Sequence, residues 1–409
     1  MRAHSPSCYH HRPVPWLALA FALLLSAGFA AAADVDDVLK LSPQLKSLRF
    51  GGDLRIREDY QSRKTARSND RSRARYRLRA GFEMEFPDEL MVGVRLGAGT
   101  GEQFSNNQTF SNLSSQKQIF VDQAYIRWMP KVSDNLMLRL GGGKCTNWMW
   151  RVYSSDLVWD DDFNPESLQE SVEWQAPFGV SLFANALQMA TGEHANSGRN
   201  QWAFSQQAGF EAKMPHELRF RSAAAYHKWS DENRDTFGQI GLNEGNRRNA
   251  AGNLLLNRFG VAEWTSELSG SIRQRAWRLQ GTFVRNLRAR GDRAGAALPA
   301  TPADPLTGPA ARDGYQFGGI FGRIKKQGDW ELGLFKKYAQ TDATVADVSD
   351  SDFGPGGTNR SGGIGWLTYA IRDWMTTRAK FFSTKTIDFA LQPNAADENR
   401  FQLDLQVNF

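Results

Sequence analysis

Between Arg71 and Phe86 an arginine fills every second position (Arg71, Arg73, Arg75, Arg77 and Arg79), and Gly81, Glu83 and Glu85 continue the row. The intervening positions hold Ala74, Tyr76, Leu78, Ala80, Phe82, Met84 and Phe86. Residues two apart share one face of a strand, so one face here is charged and the other apolar. Wound as a helix, the same arginines would spread around the whole circumference and bury nothing. The segment therefore reads as a long strand. Its arginine face has to meet water or acids, because each guanidinium left in mid-membrane hydrocarbon costs about 2–4 kcal/mol.

The same period recurs along the chain. Phe401, Leu403, Leu405, Val407 and Phe409 alternate with Arg400, Gln402, Asp404, Gln406 and Asn408. Leu54 and Ile56 alternate with Asp53, Arg55 and Arg57, and Leu136, Leu138 and Leu140 with Met137 and Arg139. Around Ile119 to Trp128 and Ser271 to Arg285 the alternation slips by one position, as a bulge would make it. The pattern predicts sixteen strands, with eighteen as the next count: 50–60, 72–86, 90–100, 118–130, 134–144, 166–176, 178–190, 201–214, 216–229, 253–267, 272–287, 313–327, 329–341, 361–372, 374–389 and 398–409.

The connections alternate between two classes. Tight turns are expected at Pro87-Asp88-Glu89, Lys131-Val132-Ser133, Ala176-Pro177, Pro215, Ser269-Gly270, Gly328 and Arg372-Asp373. Long loops are expected at 61–71, 101–117, 145–165, 191–200, 230–252, 288–312, 342–360 and 390–397. A soluble sandwich has no reason to keep two loop classes, whereas an outer-membrane barrel has short periplasmic turns and long extracellular loops. Trp128, Trp174, Trp330 and Trp374 sit beside the tight turns, as an interfacial girdle would. The expected fold is all-β, a transmembrane antiparallel up-and-down β-barrel.

Ahead of the strands, Arg2, His10, His11 and Arg12 precede an apolar run from Trp16 to Ala30 and then Ala31-Ala32-Ala33. That order is the pattern of a secretory signal, with cleavage expected after Ala33. Residues 34–49, with Val35, Val38, Leu39, Leu45 and Leu48 at near-helical spacing, read as a periplasmic lead-in, helical or disordered. The barrel would then occupy 50–409. The net charge of +6 shrinks once Arg2 and Arg12 leave, which is too balanced to argue for nucleic acid. Cys8 would leave as well, so Cys145 has no disulfide partner.

The stretch from Gly51 to about Pro165 resembles the bacterial "putative porin" family of outer-membrane proteins. The resemblance rests on Gly52-Asp53-Leu54-Arg55-Ile56-Arg57, Arg75-Tyr76-Arg77-Leu78-Arg79, Val121-Asp122-Gln123-Ala124-Tyr125, and Leu157-Val158-Trp159-Asp160 with Asn164-Pro165. Members often follow Asn-Pro-Glu with Gly, where this chain has Ser167. The resemblance implies a channel-forming barrel in the Gram-negative outer membrane. Phe409 after alternating apolar residues looks like the C-terminal signature read by the barrel-insertion machinery. Related porin classes often form trimers, so a homotrimer stays open.

If the apolar face of 72–86 meets lipid, then Arg71, Arg73, Arg75, Arg77 and Arg79, together with Arg55 and Arg57, line the lumen, where charge rings set selectivity. The plainer reading pairs these arginines with acids of neighbouring strands, Asp53 and Asp59 being the candidates. Loop 145–165 holds Trp148, Trp150, Trp159, Asp160, Asp161 and Asp162, too apolar a set for a freely solvated loop. It is expected to fold inward and narrow the lumen, its acids facing the basic strand across a transverse field. Otherwise its tryptophans belong to an outer girdle and its acids to solvent. Asp160-x-Asp162-x-Asn164 matches the start of a calcium loop, but Pro165 and Ser171 stand where Gly and a bidentate Glu belong, so neither a metal nor another cofactor is expected.

Only His194, His216 and His227 follow the signal, no G-x-S-x-G occurs, and no Ser-His-acid spacing is apparent, so catalysis is not expected. The function read from the chain is a passive diffusion channel for small polar or anionic solutes. The alternatives are a dedicated channel for a sugar acid or polymer, and a non-conducting structural barrel.

Overall fold

A computed structural model describes residues 44–64, 69–193, 198, 200–230, 232, 245–249, 254–291, 310–389 and 397–409. The expected signal peptide and most of the expected lead-in lie outside these residues. Among the described residues, sixteen strands form one sheet: β1 Ser47–Arg63, β2 Arg71–Glu85, β3 Leu90–Ala98, β4 Ile119–Trp128, β5 Leu136–Lys144, β6 Glu166–Ala176, β7 Val180–Gly192, β8 Gln201–Lys213, β9 Arg219–Trp229, β10 Gly260–Ile272, β11 Arg275–Asn286, β12 Asp313–Gly322, β13 Trp330–Ala339, β14 Arg360–Arg372, β15 Met375–Thr386 and β16 Glu398–Asn408. Two short segments, Gln108–Thr109 and Lys131–Ser133, pair onto β2 and β5. Each strand runs antiparallel to its neighbours in sequence, and β1 pairs with β16 from Asp53↔Asn408 to Arg63↔Glu398, which closes the sheet into a barrel.

Burial on the wall is the inverse of a water-soluble protein. Along β1, Leu54 and Ile56 are 38% and 42% exposed, while Asp53, Arg55, Arg57 and Asp59 are 7%, 9%, 5% and 0% exposed. Leu78, Leu182, Trp264, Phe317, Leu334, Leu367 and Leu403 continue the exposed apolar belt on other strands. An apolar belt outside and a polar face inside is the pattern a lipid bilayer selects for a closed sheet. Trp128, Trp174 and Trp374 are exposed beside the tight turns, where an indole can lie at the bilayer interface.

Three departures from the expected strand boundaries stand out. β1 begins at Ser47, inside the expected lead-in, and β12 ends at Gly322, five residues before the expected end. The strand expected at 253–267 is Gly260–Ile272, and its hairpin turns at Arg273-Gln274 rather than Ser269-Gly270. Both turn residues have positive φ (48° and 65°), the geometry of a tight two-residue hairpin that usually advertises itself with Asn or Gly. The displaced Leu255, Leu256 and Phe259 are buried inside the barrel. The slip at Ile119 to Trp128 is a bulge: Arg95 pairs with Gln123 and Leu96 with Val121, so Asp122 is skipped.

The barrel interior divides into two sectors. One is filled by an apolar core in which Met149, Leu157, Val158, Trp159 and Phe163 of loop 145–165 meet Leu255, Phe259, Val345 and Val348 of two other loops. Leu187, Met189, Trp229, Val261 and Val284 of the wall complete it. The other sector is lined with charge and holds a cavity of about 590 Å³.

Candidate functional site

The arginine row lies on the inward face of β2, beside the matching inward face of β1. Register sets Arg55 opposite Arg77 and Arg57 opposite Arg75. Like charges directly across a ladder repel, so the arrangement needs interleaved acids. Asp53 accepts from Arg77 Nε and Arg79 Nε at 3.0 and 2.7 Å. Asp404 of β16 accepts both Arg57 Nε and Nη2, at 2.7 and 2.9 Å. Asp59 takes Arg73 at 2.6 Å and two bonds from Arg400, each 2.8 Å, with Arg75 3.8 Å away. Arg55 donates to Asn107 at 2.7 Å. Arg71 lies exposed at the strand's open end, apart from this network.

Two loops dock on that wall through their acids. Asp162 of loop 145–165 lies 3.1 and 3.4 Å from Arg77 and Arg79. Asp352, in the loop between β13 and β14, lies 3.1 Å from both Arg57 and Arg400. Every residue from Thr341 to Asp350 in this second loop is buried, and it binds the first loop directly. Asp160 N–H donates to the Val348 carbonyl at 2.8 Å, and Ser351 N–H donates to Asp160 Oδ2 at 2.9 Å. The candidate calcium ligands are thus committed elsewhere: Asp160 to Ser351, Asp162 to arginines, and Asn164 to Asp122 and Gln123.

The loop acids fall into two electrostatic kinds. Burial, then the nearby charges of Asp162 and Asp350, pushes the Asp160 carboxyl well above the usual carboxylate range. Burial, then Asp161 and Asp350, does the same to Asp156. Burial alone would also raise Asp162, but Arg77, Arg55 and Arg79 outweigh it and hold this group low. Asp352 is likewise buried yet held well down by Arg400, Arg57 and Lys380. Asp161 is exposed, 3.7 Å from Arg151.

The loop tryptophans separate. Trp159 is 1% exposed and packs on Phe163, Trp229 and the edge of His227. Trp148 and Trp150 are half-buried; the Arg139 guanidinium lies over the first, and the second meets Phe183 and Arg221. Beneath Trp159, His227 bridges Ser205 and Glu263 at 2.9 and 2.8 Å, a grouping that sequence spacing does not reveal. Ser205 and His227 are 0% and 1% exposed, and hydrogen bonds continue through Thr265 and Thr282 to Ser154 of the loop. This array ties loop to wall inside the sealed sector. Burial pushes the Cys145 thiol up to about 11, which leaves it protonated and inert.

The cavity is lined by Arg55, Arg57 and Arg77, by Asp160 to Asp162, and by residues that sequence reasoning did not single out, Asp156 among them. They also include Arg151, Tyr153, Arg278, Glu331, Asp350, Asp352, Trp366, Arg378 and Lys380. Alternation on β15 marks Arg378 and Lys380 as sharing a face, but only the closed barrel brings that face to the arginine wall.

A closed antiparallel sheet with an apolar exterior, a charged interior and loops folded within it is the architecture of a porin-type channel. The chain belongs to the family described as "Putative porin", whose signature matches residues 51–239 and 272–409. A high-pH structure of OprB from Pseudomonas putida superposes with a TM-score of 0.54 at 12% identity, covering 91% of this chain and 96% of that one. A mutant of the Rh. blastica porin aligns at 11% identity and TM-score 0.47, covering 89% and 100%. A loop-deleted OmpT of Vibrio cholerae aligns at 10% and 0.48, covering 89% and 99%. None of the curated proteins compared with the chain matches it. Family and fold together make this an outer-membrane porin.

Proposed function

We propose that the wet sector is the conduction path of a passive channel for small polar solutes, with a preference for anions, and that loop 145–165 narrows it together with the loop between β13 and β14. One observation carries the sign of the preference. Asp162 and Asp352 are matched by wall arginines and the raised carboxyls of Asp156 and Asp160 favour their neutral form, whereas Arg378 and Lys380 line the cavity with no ion pair within 4.0 Å among the described residues. Uncompensated charge in a narrow, low-dielectric passage sets which ion enters. The arginines of β1 and β2 then act chiefly as docking points for the loops. In this reading, the precursor loses its signal after Ala33, and Phe409 serves insertion.

Reversal potentials in planar bilayers under a KCl gradient test the proposal. Chloride preference is expected, weakened by Arg378→Gln and Lys380→Gln; a clear potassium preference would refute it.

A further inference from the structure

The cations of the wet sector are not alike. Most wall arginines hold carboxylates, but Lys380 forms no hydrogen bond and has no carboxylate within 4.0 Å among the described residues. Its Nζ instead lies 5.1 and 4.7 Å from the ring centres of Tyr153 and Phe382. Arg378, two residues away on the same face and exposed, uses only Nε, donating to Thr368 Oγ1 at 2.8 Å. Neighbouring acids are already engaged: Glu331 accepts from Arg278 and Trp366 at 2.7 and 3.1 Å, and Asp350 accepts from Lys337 at 3.0 Å. Asp350, Asp352 and Asp156 act on Lys380 only from beyond 4.0 Å, and a half-buried cation with no direct anionic partner is costly, so this corner is built to receive one.

Beside the two cations stands an aromatic shelf. The Tyr153 ring lies 4.4 Å from Trp366 and 4.7 Å from Phe335, centre to centre, and its hydroxyl has no hydrogen-bond partner among the described residues. Tyr153 and Trp366 line the same cavity as Arg378 and Lys380. At about 590 Å³ the cavity falls within the range of small-molecule sites, about 300–1,000 Å³.

We propose that this corner is a binding subsite for carboxylates carried on a flat apolar ring, with the carboxylate on Lys380 and Arg378 and the ring on Tyr153 and Trp366. Chloride or acetate satisfies the charge and leaves the shelf unused; a neutral ring does the reverse. Only the combination fills both. The inference rests on the channel reading above and names a class of solute for it.

The full-length channel in planar bilayers, bathed in KCl, is titrated with benzoate, acetate and benzamide. Benzoate should interrupt the current at concentrations about tenfold below those of acetate or benzamide, and Lys380→Gln should raise its half-blocking concentration about tenfold, the worth of one charge-assisted contact. Arg378→Gln, at an exposed position, should shift it in the same direction and guards against a Lys380 variant that fails to fold. Equal block by acetate, equal block by benzamide, or unchanged benzoate block in both variants would overturn the subsite. Equilibrium dialysis of labelled benzoate against detergent-solubilised wild type and the two variants reads binding without current. Benzoate binding to a barrel that passes no KCl would sink the channel reading and keep the subsite. A conducting barrel that does not bind benzoate would sink the subsite alone.

Discussion

Two sectors share one barrel, and different forces dominate in each. In the dry sector, Trp159, Leu187, Leu255, Phe259 and Val345 pack as a soluble core would, each at most 1% exposed. In the wet sector the same loops are held by ion pairs, Asp162 on Arg77 and Asp352 on Arg57 and Arg400. Apolar packing does not titrate, whereas ion pairs are weakened by salt and by protonation of their acids. The dry sector therefore fixes where the loops sit, and the wet sector leaves them with a charge pattern that solution conditions can adjust.

Four changes would break or sharpen that contrast. The largest effect is expected from Trp159→Ala, which empties the centre of the dry sector and should cost about 3–5 kcal/mol. Urea unfolding in micelles measures the loss, and a noisier, larger single-channel conductance should accompany it. Asp59→Asn leaves Arg73 and Arg400 short of a buried carboxylate and should cost about 3 kcal/mol by the same assay, with the dry sector intact.

pH should act on the two kinds of loop acid in opposite senses. Asp162 and Asp352 have lowered values, so their contribution is present above the ordinary carboxylate value of about 4 and is lost as pH falls through the lower folded values. Asp156 and Asp160 have raised values, so their contribution is full below about 4 and is lost as pH rises through the higher folded values. Chloride preference should therefore fade on alkalinisation as Asp156 and Asp160 ionise. Reversal potentials across a pH series check this, and Asp160→Asn should flatten the alkaline limb. The smallest effect is expected from Gln274→Gly, far from both sectors: relieving a positive φ of 65° should add about 0.5 kcal/mol in urea unfolding and leave conductance alone.

The wall was legible in the sequence because membrane strands write their orientation in every second residue. Arg55, Arg57 and the row from Arg73 to Arg79 could be assigned to one face, and Asp53 and Asp59 stood out as acids of the adjacent strand. The partners from farther along the chain were not legible. Arg400 and Asp404 reach β1 only because the barrel closes, and closure brings together residues more than three hundred apart.

The loop between β13 and β14 misled for another reason. Its Thr, Ser, Asp and Gly residues look solvated, yet Thr341 to Asp350 is buried because its polar groups find partners inside the barrel, such as Asp342 on Arg247 and Asp350 on Lys337. Leu255, Leu256 and Phe259 misled in the opposite sense, apolar residues that read as strand and serve as filling. Arg273-Gln274 adopts a turn whose usual residues are absent, which hid the true end of β10.

β16 carries several of the ion pairs that neutralise β1. A sheet stopped at β15 leaves Arg57 without Asp404 and Asp59 without Arg400, so an unfinished rim exposes under-compensated charge on its inner margin. Zipping the terminal seam cancels that charge in one step. The ladder thus doubles as a proofreading device, favouring the completed ring over sheets one strand short or one register out.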